Sequence, residues 1–407
     1  MSQTNRIKLS FMMFLQFFIW GGWFVTLGTF LGNNLAATGT QSAAAFATQS
    51  FGAIIAPFII GLIADRYFNA EKILGILHII GAVLLYQMQN STDFTAFYPF
   101  VLSYMILYMP TLALVNSVSF NQMAEPGKEF SKIRVWGTIG WIVAGLLISY
   151  GFHWDSTEGI SAGLLKNTFL MASIASLILG LFSFTLPATP PKIDRNEKVQ
   201  LSQIIGLDAL KLLKDRDFVI FFISSILICI PLAFYYQNAN PFLSDIGLEN
   251  PTGKMTIGQA SEVLFMLLLP VFFTRFGFKN TILVGMLAWV VRYSLFAFGN
   301  AGDLNFMLLI GIALHGICYD FFFVSGQIYT DSKAGDKYRS AAQGLITLAT
   351  YGVGMLIGFW IAGMVTDAYK VSDTAHNWQM IWIIPAGIAA VVTLLFVAFF
   401  RDKKEVG

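Results

Sequence analysis

The run Phe11-Met12-Met13-Phe14-Leu15-Gln16-Phe17-Phe18-Ile19-Trp20-Gly21-Gly22-Trp23-Phe24-Val25-Thr26-Leu27-Gly28-Thr29-Phe30 contains no charged residue. A helix needs about 20 such residues to cross a hydrocarbon core about 30 Å thick, and this run supplies them. Arg6 and Lys8 stand just before it. The run is too long for the apolar core of a secretory signal and lacks a clear small-residue cleavage site. It therefore reads as a first membrane span that is retained.

The same reading extends along the chain. Hydrophobic windows fall near 9–31, 42–64, 73–90, 97–120, 132–151, 166–186, 217–240, 256–274, 280–298, 304–327, 340–366 and 378–400. Of the 407 residues, 56% are hydrophobic, 15% aromatic (39 of them Phe) and only 12% charged. Mean hydropathy is +0.67. Soluble proteins carry about 25% charged residues, and half that density cannot solvate a globule of this size. The expected fold is an all-α membrane protein of twelve transmembrane helices, with the lipid bilayer as its first partner. A net charge of +2 gives no basis for nucleic-acid binding. Cys229 and Cys318 both sit in apolar runs, which argues against disulfides. His78, His153, His315 and His376 show no metal-ligand spacing.

Basic residues set the expected orientation. Arg6, Lys8, Arg66, Lys72, Lys128, Lys132, the six from Lys192 to Arg216, Arg275, Lys279, Lys333, Lys337, Arg339, Arg401, Lys403 and Lys404 fall on one side. Only Lys166, Lys254 and Lys370 fall on the other, while Arg134 and Arg292 lie inside spans. By the positive-inside rule both termini are cytoplasmic. The longest connection, 187–216, bisects the chain, opening with Pro187, Pro190 and Pro191. It predicts an N-terminal six-helix bundle at 1–190, a cytoplasmic linker at 191–216 and a C-terminal six-helix bundle at 217–407. An amphipathic piece from Leu201 to Leu213 is expected to lie along the cytoplasmic headgroups. Arg66 with Ile73-Leu74 and Arg275 with Ile282-Leu283 repeat at one offset, the mark of duplicated halves in alternating-access carriers.

Function in such a chain is read from ionisable groups inside spans, each of which costs roughly 2.5–3.5 kcal/mol to insert. Glu262 stands in Gln259-Ala260-Ser261-Glu262, where Gln259 and Glu262 are three apart and share a helix face. An amide beside a carboxylate suits a ligand rich in hydroxyls and ring nitrogens, against the plainer reading of a Glu that pairs with a neighbouring helix. Asp320 lies mid-span in His315-Gly316-Ile317-Cys318-Tyr319-Asp320-Phe321-Phe322-Phe323, with Tyr319 or Phe323 as a stacking face. His315 shares a face with Tyr319, although a lone His commonly satisfies a backbone carbonyl. Arg134 has two readings: it snorkels to the cytoplasmic interface, or, if its span starts earlier, it reaches a cavity together with Thr138, four residues on. Arg292 reads as structural. Phe234-Tyr235-Tyr236-Gln237-Asn238-Ala239-Asn240-Pro241 is a cavity wall or an interfacial belt, and Trp20-Gly21-Gly22-Trp23 has the same two readings.

Gly61-Leu62-Ile63-Ala64-Asp65-Arg66 resembles the G-x-x-x-D-R turn of the major facilitator superfamily, in which Asp65 and Arg66 would latch cytoplasmic helix ends as a gate. A narrower likeness covers nearly the whole chain. Phe14-Leu15-Gln16-Phe17 with Trp20-Gly21, Tyr108-Met109-Pro110-Thr111-Leu112, and Arg134 with Trp136-Gly137-Thr138-Ile139-Gly140 carry its first half. Gln259 with Ser261-Glu262, and Asp320-Phe321-Phe322 followed by Ser325-Gly326, carry its second. Together they resemble the bacterial nucleoside:proton symporters. The resemblance implies proton-coupled nucleoside uptake through a central cavity between two six-helix bundles of the bacterial inner membrane. It further implies that Arg134, Thr138, Gln259, Glu262, Tyr319 and Asp320 line the nucleoside site. Two positions depart from the family: His315 stands where a Tyr is found. In span seven, where the family has polar Gln and Asn contacts, a gapless match gives Ala233 and Tyr236, with Gln237 and Asn238 beside them.

The function expected is secondary active import of nucleosides by proton symport, without a cofactor. Burial disfavours a charged carboxylate, so Glu262 or Asp320 can load a proton outside and release it inside; the sequence does not choose between them. A sugar or glycoside porter of the same superfamily is the alternative. An intramembrane enzyme would need a nucleophile with its base or a metal cluster, and a sensor would need a soluble output domain. The sequence offers neither, and nothing in it requires more than a monomer.

Overall fold

The computed structural model describes residues 2–59, 67–191, 207–372 and 375–401, with backbone alone at 126–128, 207–208 and 336–340. The Asp65-Arg66 turn and linker residues 192–206 lie outside the described residues. The described chain is predominantly helical, as lipid demands, because only hydrogen bonds within the helix satisfy backbone groups there. Ten helices are long and apolar enough to cross a membrane. Contacts divide the chain into two compact units, Met1–Val199 with Leu248–Thr256, and Gln200–Gly247 with Ile257–Gly407.

The first unit contains α1 (Gln3–Gly21), α2 (Leu27–Leu35), α3 (Gly39–Ile59), α4 (Ala70–Asn90), α5 (Phe94–Asn121), α6 (Pro126–Leu146), α7 (Thr157–Ser161) and α8 (Asn167–Ser183). The first predicted span is not one helix. It breaks after Trp20-Gly21-Gly22 and resumes at Leu27, so the paired glycines mark an interruption. Glycines also set helix spacing elsewhere. A Cβ at Gly140 of α6 would stand 2.2 Å from the Phe14 carbonyl of α1, and one at Gly75 of α4 would stand 2.9 Å from the Gly180 carbonyl of α8. Such small-residue seams let helices pack where no hydrophobic effect draws them together.

Buried His78 of α4 ties this unit together. Its Nε2 lies 2.9 Å from Gln16 Oε1 of α1 and its Nδ1 3.0 Å from Ser176 Oγ of α8. Gln16 Nε2 donates to Thr111 Oγ1 of α5 at 2.7 Å, and Tyr108 donates to the Gln16 carbonyl. At the far end, Asp155 accepts from Ser149 and from the Thr252 N–H, while Ser149 accepts from the Gly253 N–H. These two side chains cap the opening turn of α10 (Pro251–Phe298).

The second unit holds the rest of α10 with α9 (Arg216–Asp245), α11 (Asn305–Ala313), α12 (His315–Tyr319), α13 (Ser325–Thr347), α14 (Met355–Ala368) and α15 (Trp378–Phe399). Strands β1 (Lys370–Ser372) and β2 (Ala375–His376) pair antiparallel. α10 runs 48 residues and turns at Gly277, whose φ of 75° is a left-handed value that glycine adopts without steric cost. An aromatic core of Tyr293 stacked on Trp382 at 5.4 Å, with Phe296 and Phe242 against the same ring, joins α9, α10 and α15.

The amphipathic linker piece is described from Leu207 to Lys214, where Ala209 packs with Ala334, Ala342 and Leu345 of α13 and Leu212 joins them. Part of its apolar stripe is thus covered by protein.

Candidate functional site

In the first unit Arg134 stands on α6 and packs against α1. α6 begins at Pro126, six residues before the predicted start of its span. Arg134 is thus carried more than two turns into the helix and lies over the Phe17 ring of α1, 4.1 Å from its centroid. That stack depends on Gly137, where a Cβ would stand 2.6 Å from Phe17 Cδ2 and 2.8 Å from Arg134 Nη1. Thr138, half-buried, lies one turn beyond Arg134. Phe17 is a partner the sequence reading missed. Its signal was present in the Phe14-Leu15-Gln16-Phe17 string, but cation–π stacking across two helices has no sequence spacing.

The second unit gathers the other candidates. Gly316 of α12 sits so close to α10 that a Cβ there would be 2.5–2.6 Å from the Ser261–Glu262 backbone. The Gly316 N–H donates to Ser261 Oγ at 3.0 Å. This contact sets His315, Tyr319 and Asp320 against the Gln259–Glu262 turn. A Cβ at Gly258 would stand 3.2 Å from the His315 Cβ. Asp320 opens a wide π-helical turn, Asp320–Val324, an irregularity common at functional positions. It is fully buried, and among the described residues neither carboxylate oxygen has a hydrogen-bond partner. Glu262, half-buried, is close enough for the two carboxylates to act on each other. Tyr236 of α9 lies within electrostatic reach of both Tyr319 and Glu262.

Other candidates are placed differently. Gln237 and Asn238 are both buried on α9, and the Asn238 amide donates to Thr366 Oγ1 of α14 at 3.1 Å. Asn238 thus joins two helices within the unit. Two residues outside the sequence assignment enter the cluster. Tyr351 shares a 2.5 Å hydroxyl–hydroxyl hydrogen bond with Tyr319, and Arg292 donates to His315 Nδ1 at 3.1 Å. Tyr351 lies on a second π-helical turn, Leu348–Gly354. Tyr351 left no signal in the sequence, whereas Arg292 stood out as an ionisable residue inside a span but read as structural, since its pairing with His315 has no sequence spacing. Among the described residues no cluster of His, Cys, Asp and Glu suits a metal ion.

Carboxylates, amides and aromatic rings gathered on apolar helices of membrane-spanning length define a polytopic membrane transport protein. The chain belongs to the nucleoside H+ symporter family of the major facilitator superfamily, and that family's sequence profile matches residues 2–405. It is 42% identical over 410 residues to "Putative nucleoside transporter YegT" of Escherichia coli (strain K12), covering 98% of this chain and 94% of that protein. It is 33% identical to the xanthosine permease of the same organism, over 100% of this chain and 97% of that one. A crystal structure of nucleoside transporter NupG superposes with a TM-score of 0.88 at 30% identity, over 98% of this chain and 100% of that chain. The family and these relatives are transporters and permeases, so the chain is a transport protein and not an enzyme. Coupling to the proton fits the family, and the fold needs no cofactor.

Proposed function

We propose that this chain imports nucleosides by proton symport, working by alternating access in which its site opens to one side of the membrane and then the other. The observation that carries the reading is the cluster of Glu262, Asp320, Tyr319 and His315 in a chain of this family: a buried carboxylate without protein donors beside a half-buried one, lined by rings. We assign to the nucleoside Arg134 and Thr138 from the first unit. Tyr236, Gln237, Asn238, Gln259, Glu262, His315, Tyr319 and Asp320 are assigned from the second. Glu262 and Asp320 are the proton-coupling groups, and Asp65 with Arg66 forms the gate. One proton moving down about 100 mV releases roughly 2.3 kcal/mol, enough for roughly fifty-fold accumulation of a neutral solute.

The chain acts as a monomer in the bacterial inner membrane, with both termini cytoplasmic. Its two six-helix bundles, 1–190 and 217–407, make twelve crossings. Ten helices meet the length and hydropathy of a span; α10, turned at Gly277, accounts for two crossings, and α1 with α2 for one more. The test is uptake of radiolabelled uridine and adenosine by cells lacking their own nucleoside carriers, with and without a protonophore. Uptake that collapses with the proton gradient is expected. A chain that ignores both nucleosides but takes up a disaccharide would be a glycoside porter instead.

A further inference from the structure

Arg292 of α10 is fully buried, yet among the described residues it has no carboxylate partner. Its guanidinium carbon stands 3.6 Å above the centre of the Tyr235 ring, with Trp289 and Phe296 around it. Its Nε and Nη2 have no hydrogen-bond acceptor. Its Nη1 stands 3.1 Å from His315 Nδ1, and the Tyr235 and Cys318 side chains also lie within its hydrogen-bonding reach. A guanidinium has five donors, no acceptor and no accessible neutral form. His315 Nδ1 must therefore present its lone pair, and the ring carries its proton on Nε2.

The surroundings of the ring decide where that proton points. Tyr235 stacks on His315 at 5.3 Å and 26°, and Tyr319 approaches at 5.9 Å. The His315 backbone side is closed by Gly258 and by the Gly316 contact with Ser261. Nε2 has no protein partner among the described residues, yet it is not among the polar atoms sealed from solvent. It is thus the one polar atom of the ring left for a ligand, beside the half-buried Tyr319.

We propose that Arg292 is a positioning residue that locks His315 with its proton on Nε2, so the site offers a fixed donor there and selects nucleosides that present a carbonyl oxygen or an unprotonated ring nitrogen. The selection rests on the nucleoside reading above; the locked tautomer does not. A tyrosine hydroxyl at this position would rotate to donate or accept, whereas the locked imidazole only donates.

Two measurements test this. Nitrogen NMR of the full chain with labelled histidine, the His315 signal assigned by its loss in His315→Gln, should show Nδ1 unprotonated and Nε2 protonated. In Arg292→Met that single form should give way to a mixture. The opposite tautomer in wild type would overturn the proposal whatever the substrate proves to be. Uridine binding is the second readout. Gln places an amide N–H near the position of Nε2, and Asn places its amide near Nδ1. Loss of one ligand hydrogen bond amounts to about tenfold in Kd, so His315→Asn and Arg292→Met should each weaken uridine about tenfold and His315→Gln clearly less. Arg292→Met should melt no lower than wild type, because removing a buried charge without a counter-charge is commonly neutral or stabilising. A structural Arg292 would give the reverse: a lower melting temperature with uridine affinity kept. Equal weakening by Asn and Gln would also sink the proposal. A wild type showing the expected tautomer but no uridine binding would overturn the proposed selection of nucleosides along with the nucleoside reading, while leaving the lock itself established.

Discussion

At the scale of single residues, the two carboxylates of the second unit differ in burial and partners. Asp320 is fully buried and, among the described residues, has no donor to either oxygen, whereas Glu262 is half-buried on the same helix face as Gln259. Proton exchange is dispensable when solute swaps for solute across the membrane, and an amide in place of either carboxylate keeps polar atoms for the nucleoside while exchanging no proton. Asp320→Asn and Glu262→Gln in vesicles should therefore each abolish uridine accumulation driven by a proton gradient while keeping uridine–uridine exchange. Accumulation at the wild-type level in Asp320→Asn would remove Asp320 from the coupling step. In the first unit, Gly137→Ala should drive Arg134 off Phe17, since the added methyl would overlap both. A cost of about 1–3 kcal/mol in stability follows from such overpacking. Uridine affinity should drop as well, and unchanged affinity would show that the stack does not present Arg134 to the ligand.

At the scale of elements, caps carry the most directly measurable consequences. Asp215 caps α9 by accepting from the Asp217 and Phe218 N–H groups and pairs with Lys333 at 3.3 Å. Burial alone would raise its carboxyl, but the Phe218 N–H and the Lys333 ammonium outweigh that and hold it below its ordinary value. A carboxyl lowered on folding stabilises above its unfolded value, near pH 4, and loses that contribution as pH falls through the folded one. Asp215→Asn should thus melt below wild type at about pH 6, with the gap closing toward about pH 3. A gap that stays constant would show that the cap's geometry, not its charge, matters. Asp155→Ala, which uncaps α10 at Thr252, should lower thermal stability by about 1 kcal/mol.

The elements also show what the sequence could tell. Apolar windows located most spans because hydropathy is a local property. The boundaries that mattered were not local. α6 starts at Pro126 rather than near 132; the early residues Lys128, Glu129 and Lys132 hid the helix from a hydropathy window. The π-helical turn at Asp320 left no periodic mark. Glu262 and Asp320 could be picked out because a carboxylate in lipid is conspicuous whatever surrounds it. Arg292 was conspicuous too, but it read as structural, because its partner His315 is 23 residues away and the two meet only across packed helices.

At the scale of the whole molecule, the proposed membrane orientation rests on the distribution of charge and is testable loop by loop. Ten crossings and twelve crossings both return the C-terminus to the side of the N-terminus, so labelling the termini alone cannot separate them. The interior of α10 can. The two arms of α10 on either side of Gly277, 251–276 and 278–298, are each about 30–40 Å long, enough to cross a hydrocarbon core of about 30 Å. Arg275 and Lys279 flank its turn at Gly277, and cytoplasmic loops attract such basic residues. If α10 crosses twice, a cysteine at Phe276 faces the cytoplasm, and cysteines at Asn250 and Asn300 face outward. The native thiols Cys229 and Cys318 are both buried and should remain silent to a membrane-impermeant maleimide. In intact cells such a reagent should label positions 250 and 300 and spare 276, which should react only in inverted vesicles. Asn33, at the end of α2, should label from outside if α1 and α2 together make one crossing. Labelling of 276 from outside would place Arg275 and Lys279 against the charge rule and reverse the orientation of the second half. A label at 300 from the cytoplasm would mean that α10 crosses once, and the count of twelve would fall.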